Sequence, residues 1–155
     1  MENDILRGQF MDFSVVHIIE AKDILQKCIG SNQKKLLVVY NEKDESPERT
    51  EFLKKILGAA KFDMDEDILL LKLTQKEPFS FISLRTKVAD HLGGIDNMLV
   101  FGFEPAHFGL NLDMQKYQSF RFYECGFLFA DALSVLENEK QLKGALWGGM
   151  QKLFL

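Results

Sequence analysis

Three short runs constrain this chain most: Leu36-Leu37-Val38-Val39-Tyr40, Ile68-Leu69-Leu70-Leu71 with Leu73, and Met98-Leu99-Val100-Phe101. Each is apolar at consecutive positions rather than at every second one, so a strand built from it needs cover on both faces. A fourth run, Phe127-Leu128-Phe129, follows Gly126. Helical patterns fall between them. Ser46 and Pro47 read as an N-cap and first helical residue, after which Phe52, Leu53, Ile56, Leu57 and Ala60 share one face. A second helix is expected over about Leu84 to Leu92, stopped by Gly93 and Gly94. Asn138 with Gln141 resembles a capping box, and Leu142, Ala145, Leu146, Met150, Leu153 and Phe154 form the stripe of a terminal helix. Strands alternating with helices predict a three-layer α/β/α fold around a central, mostly parallel, four-stranded sheet. Glu104 to Gly109 reads as a short helix or turn, and Tyr117 to Tyr123 as a strand or a structured loop.

Length and composition fit one domain: 155 residues, 46% hydrophobic and 27% charged. A chain of this size buries roughly 68–70% of the surface that its unfolded form exposes, enough for a core without staples. Cys28 and Cys125 match no metal or redox spacing and read as small buried hydrophobes in a reducing compartment. The net charge of −4 creates no field that would draw the chain onto a polyanion, so direct nucleic-acid binding is expected to be weak or absent. No stretch approaches the roughly 18 apolar residues of a membrane span and MENDILRGQF lacks a signal-peptide pattern, which predicts a cytoplasmic protein without membrane contact. Residues 1–33 read as a helical extension and 34–155 as the α/β domain. Val15, Val16, Ile18, Ile19, Ile24, Leu25 and Ile29 would form a helix or two. Together with Phe10 and Phe13, that extension either packs on the domain or docks an apolar face onto a partner.

Open parallel sheets bind ligands outside the carboxyl ends of their strands, which directs attention to the loops after Tyr40, Leu73, Gly102 and Phe129. They carry little chemistry. Neither a GxGxxG nor a P-loop occurs, and no GxSxG supports a nucleophile elbow. Asp63, Asp65, Glu66 and Asp67 superficially resemble a calcium loop, but Ile68 and Thr74 stand where Gly and Glu are needed, so a solvated turn is expected. His17, His91 and His107 share no ligand spacing. No metal or cofactor is implied. Lys116, Tyr117, Phe120, Arg121, Phe122 and Tyr123 could stack bases beside phosphates, though two cations in eight residues suit a structured loop or strand pair better.

Phe127 to Phe154, FLFADALSVLENEKQLKGALWGGMQKLF, resembles the last motif of the uracil-DNA glycosylase superfamily, especially its family 4 type. The matching features are Phe127 to Phe129, Val135, Leu136, Asn138, Lys143 and Trp147; LLVVYNEKD corresponds to the water-activating loop and NMLVFGFEPA to the middle strand, turn and helix. The departures matter more. Tyr40 and Lys43 replace the Gly and Pro of the first loop around Asn41 and Glu42, leaving Glu42 at the catalytic position, and Asp131-Ala132 replace the His-Pro pair. A carboxylate at the histidine position puts negative charge where a departing uracil develops its own. The cysteine ligands of family 4 are also missing. The chain is similar to the non-catalytic psi-subunit family of bacterial DNA polymerase III, through the LLVV strand and polar loop and through Asn138, Lys143, Leu146 and Trp147. That resemblance implies a protein-interaction accessory of the clamp loader, without enzyme activity, meeting the loader and a chi-like subunit. Phe10, Phe13 and Trp147 are the candidate interaction residues. Two other functions stay open: a divergent glycosylase that uses Glu42 as its base, and a nucleobase- or nucleotide-binding protein that has reused the old pocket.

Overall fold

The computed structural model describes residues 21–154 apart from residue 77. Its elements are α1 (Ala21–Lys27), β1 (Leu36–Asn41), a 3-10 turn (Glu42–Asp44), α2 (Pro47–Ala59), β2 (Ile68–Leu73) and α3 (Phe81–His91). There follow β3 (Asn97–Phe101), a second 3-10 turn (Pro105–Phe108), β4 (Phe120–Phe122), β5 (Cys125–Ala130), α4 (Leu133–Leu136) and α5 (Lys140–Phe154). Phe10, Phe13 and His17 lie outside the described residues.

The sheet has five strands in the order β2-β1-β3-β5-β4, the first four parallel and β4 antiparallel to β5. The four expected strands are present and a fifth is added. β4 comes from the Tyr117–Tyr123 segment, whose polar-apolar alternation suits an edge. The reason that hairpin is hard to read is its turn. Phe122 pairs with Cys125 across Tyr123 and Glu124, which hold φ of 53° and 58°. Such a two-residue turn favours Asn-Gly, and this chain makes it with neither. Arg85 of α3 donates a hydrogen bond to the Tyr123 carbonyl and braces the turn.

Consecutive apolar residues on each strand do what their pattern demands. Leu37 and Val39 of β1, Met98 and Val100 of β3, and Phe127 and Phe129 of β5 face one layer with Ile24 of α1 and Phe81, Leu84 and Val88 of α3. Leu36, Val38, Leu99, Phe101, Leu128 and Ala130 face the other, with Leu53 and Leu57 of α2, Leu133 and Leu136 of α4, and Leu146 and Met150 of α5. The switch of layer follows from topology. The β1-to-β2 and β2-to-β3 connections step across the sheet in opposite directions, so right-handed crossovers put α2 and α3 on opposite faces.

Local signals explain most element ends. Ser46 Oγ accepts from Arg49 N at 3.1 Å, as its N-cap reading requires. α3 starts at Phe81, earlier than Leu84, because Ser80 caps it, accepting from Ser83 N at 3.3 Å. It ends where expected, with Gly93 and Gly94 at φ of 93° and 106°. The Asn138 capping box does not form: α5 begins at Lys140, and the Asn138 amide donates backward to the Ser134 carbonyl at 3.5 Å. The acidic run closes on itself as a turn: Asp63 accepts from Asp65 N and Glu66 N, both at 2.9 Å, and Asp67 accepts from Asp63 N at 2.7 Å. Among the described residues no cluster of three or more metal-ligating side chains forms.

Candidate crevice at the carboxyl ends of the strands

β1 pairs with β2 on one side and β3 on the other, which makes the carboxyl end of β1 the point where strand order reverses and where a crevice is expected. Each loop there can be followed residue by residue. Tyr40 is buried on the α2/α5 side, and burial together with the charges of Glu45 and Glu42 pushes its phenol up to about 12. Asn41 is buried and its Oδ1 accepts from Lys43 N at 3.1 Å, capping the 3-10 turn. Glu42 and Lys43 are exposed on that turn. Asp44, next along, is buried, and one of its carboxylate oxygens has no hydrogen-bond partner among the described residues. Arg49 donates to the Asp44 carbonyl at 3.4 Å and to the Glu137 carboxylate at 3.0 and 3.2 Å, so the loop after β1 is tied to the end of α4.

On the other side of the crevice the backbones that follow β3 and β5 run against each other. Gly102, at φ 84°, follows β3 and donates its N–H to the Ala130 carbonyl at 3.0 Å. A Cβ on it would lie 3.2 Å from the Ala132 Cβ. From the loop after β2, the Gln75 amide reaches the Gly102 carbonyl at 3.4 Å and so crosses the end of β1.

Asp131 is the most tightly held group of the site. Lys116 Nζ lies 2.9 Å from its Oδ1 and the Tyr117 hydroxyl donates to Oδ2 at 2.5 Å. The same hydroxyl accepts from the Asp131 N–H at 3.2 Å. These two donors hold the carboxyl below its ordinary range, the Tyr117 bond contributing first and the Lys116 bond second. Burial and the bond to Asp131 raise the Tyr117 phenol well above its ordinary value, and the bond to Asp131 raises Lys116. Tyr117 adopts φ 67° and donates its N–H to the Phe129 carbonyl at 2.8 Å, which fixes where its ring stands. A non-glycine residue in that region is uncommon and marks a position determined by its surroundings.

The six positions set by the resemblance therefore do not act alike. Asp131 and Ala132 lie against the β3 loop, Tyr40 and Asn41 are consumed by packing and capping, and Glu42 and Lys43 point into solvent. Lys116 and Tyr117, read from sequence as part of a structured loop or strand pair, are the partners of Asp131. Only distance in sequence hid that pairing. His107 lies in the loop after β3 with its ring 4.5 Å from that of Phe103, and His91 sits at the far end of α3.

Trp147 belongs elsewhere. It is half-buried on α5, where α5 and α2 enclose a groove of about 250 Å³. Other depressions are lined by Leu112 to Gln115 with Gln118 to Phe120, by Tyr117 with Gly148 and Lys152, and by Ile82 with Arg85 and Tyr123. None of these four is lined by Tyr40, Glu42 or Asp131. No helix among the described residues is long and apolar enough to cross a membrane. No protein-family model matches the chain, and no curated protein does.

Proposed function

We propose that this chain is a non-catalytic protein-interaction subunit on a glycosylase-like scaffold, a psi-like accessory of the bacterial DNA polymerase III clamp loader. The observation that carries the reading is the fate of Asp131. A base-excision site needs a donor that steadies the anion leaving the sugar. The resemblance assigns that position to Asp131, and Lys116 and Tyr117 keep Asp131 a carboxylate, whose charge would oppose the one that develops.

Two further features support the same reading. Gly102 and Ala132 approach closely between the β3 and β5 loops, which leaves little room there for a flipped base. The exposed Glu42 belongs to a turn held by Asn41 and tied through Arg49 to Glu137, not to a Gly-Pro loop that closes on DNA. Affinity capture against purified clamp loader and a chi-like subunit tests the role: a stoichiometric complex with either is the expected result, and its absence with both removes the replication assignment.

A further inference from the structure

The groove between α2 and α5 is apolar at its floor and basic at its rim. Phe52 and Ile56 on α2 stand one turn apart, and Leu146, Trp147 and Met150 present the facing stripe of α5. The sheet lies beneath these residues, because Leu146 and Met150 also belong to the core over Leu128 and Ala130. The wall is therefore rigid. Its two charged lining residues are both cations: Lys55 and Lys143, the latter with its ammonium 5.4 Å from the Phe52 ring centre. That local excess is notable on a chain whose overall charge is −4.

At about 250 Å³ the groove is smaller than the roughly 300–1,000 Å³ of small-molecule pockets. An open trough between two helices, with anchors spaced by a helical turn, is the shape that receives the apolar edge of a third helix. The lysines select its charge. We propose that this groove receives an acidic amphipathic helix from a partner protein, its apolar residues seated on Phe52, Ile56 and Trp147 and its carboxylates between Lys55 and Lys143. The proposal rests on the reading of the chain as an interaction subunit and names the kind of segment that it binds.

Trp147 is the single tryptophan of the chain, so its emission reports this groove. The full chain is titrated with a capped 14-residue synthetic helix bearing leucine at helical spacing and glutamate elsewhere, and with a twin in which lysine replaces glutamate. The acidic helix is expected to shift Trp147 emission to the blue saturably and to bind at least tenfold tighter than its twin at low salt. Added salt should erode that preference, because screening weakens exposed charge pairs. Lys55→Glu with Lys143→Glu, two surface substitutions that spare the core, should invert it. Equal binding of both peptides, or no shift with either, overturns the proposal. So does a red shift of Trp147 on Phe10→Asp with Phe13→Asp, which would mean that the chain's own N-terminal segment fills the groove. A dimer that Lys143→Glu dissociates would assign the groove to a second copy and overturn it equally. A negative titration leaves the blocked crevice untouched, whereas release of uracil from DNA would overturn the non-catalytic reading whatever the groove binds.

Discussion

Asp131 shows how a residue's surroundings decide what it can do. With its carboxyl held below the unfolded value of about 3.9, the Lys116–Tyr117–Asp131 cluster contributes stability that is complete above that pH and is lost as pH falls through the folded value. Lys116 is 43% exposed, so the ion pair itself contributes little, and the Tyr117 hydrogen bond to a charged acceptor dominates. Asp131→Asn is expected to cost about 1–2 kcal/mol at pH 7 and progressively less as pH falls below the ordinary carboxylate value and through the folded one, read from urea unfolding along a pH series. A penalty that does not depend on pH would mean that shape, not charge, holds the cluster. The two thiols make a second case. Burial pushes Cys28 up to about 11 and Cys125 up to about 12, so both are protonated at neutral pH and neither is a nucleophile. Alkylation of the folded protein by iodoacetamide at pH 7.5 should be slow at both positions and become rapid in urea; fast labelling of native Cys125 would contradict its placement. Nothing in the spacing of Lys116, Tyr117 and Asp131 reveals the cluster, because it depends on the loop before β4 folding back over the end of β5.

Elements were legible in proportion to how local their signals are. β1, β2, β3 and β5 announce themselves by unbroken apolar runs, and α2 by Ser46, Pro47 and a clear stripe. The β4–β5 hairpin lacked its signal because Tyr123 and Glu124 occupy left-handed positions that usually go to Asn and Gly. That substitution leaves strain in the turn. Glu124→Gly should stabilise the fold by about 0.5–1 kcal/mol in thermal or urea unfolding, the relief of a left-handed L-residue less the added freedom of glycine when unfolded. A destabilised variant would mean that the Glu124 side chain makes a contact worth more than the strain. β5 carries the opposite constraint at Gly126, where a Cβ would run into Asn97 and Leu153. Gly126→Ala is expected to cost about 1–3 kcal/mol through overpacking between β3 and the end of α5. The misplaced start of α5 teaches a similar lesson, because Asn138 satisfies the spacing of a capping box yet bonds back into α4, a short helix that the apolar pattern did not separate.

For the molecule as a whole, two faces of one sheet have acquired different characters. One layer is sealed by α1, α3 and a set of phenylalanines, with Phe127, Phe129, Phe81 and Phe108 all buried. The other carries α2 and α5 with a half-open seam at Trp147. Between them, the end of the sheet where α/β proteins hold ligands is occupied by the chain's own groups: Gln75 crosses β1, Gly102 presses on Ala132, and Asp131 is bound by Lys116 and Tyr117. The alternation of runs and helices made a mostly parallel sheet covered on both faces legible, whereas strand order and the state of that crevice depended on contacts between elements far apart in sequence. If the chain is the non-catalytic subunit proposed above, this crevice performs no base excision. The most direct test is incubation of the full chain, at molar excess, with single- and double-stranded oligonucleotides containing one uracil, followed by alkaline cleavage and gel analysis. No strand scission above the protein-free control is the expected result. Scission that disappears in Glu42→Gln would contradict it.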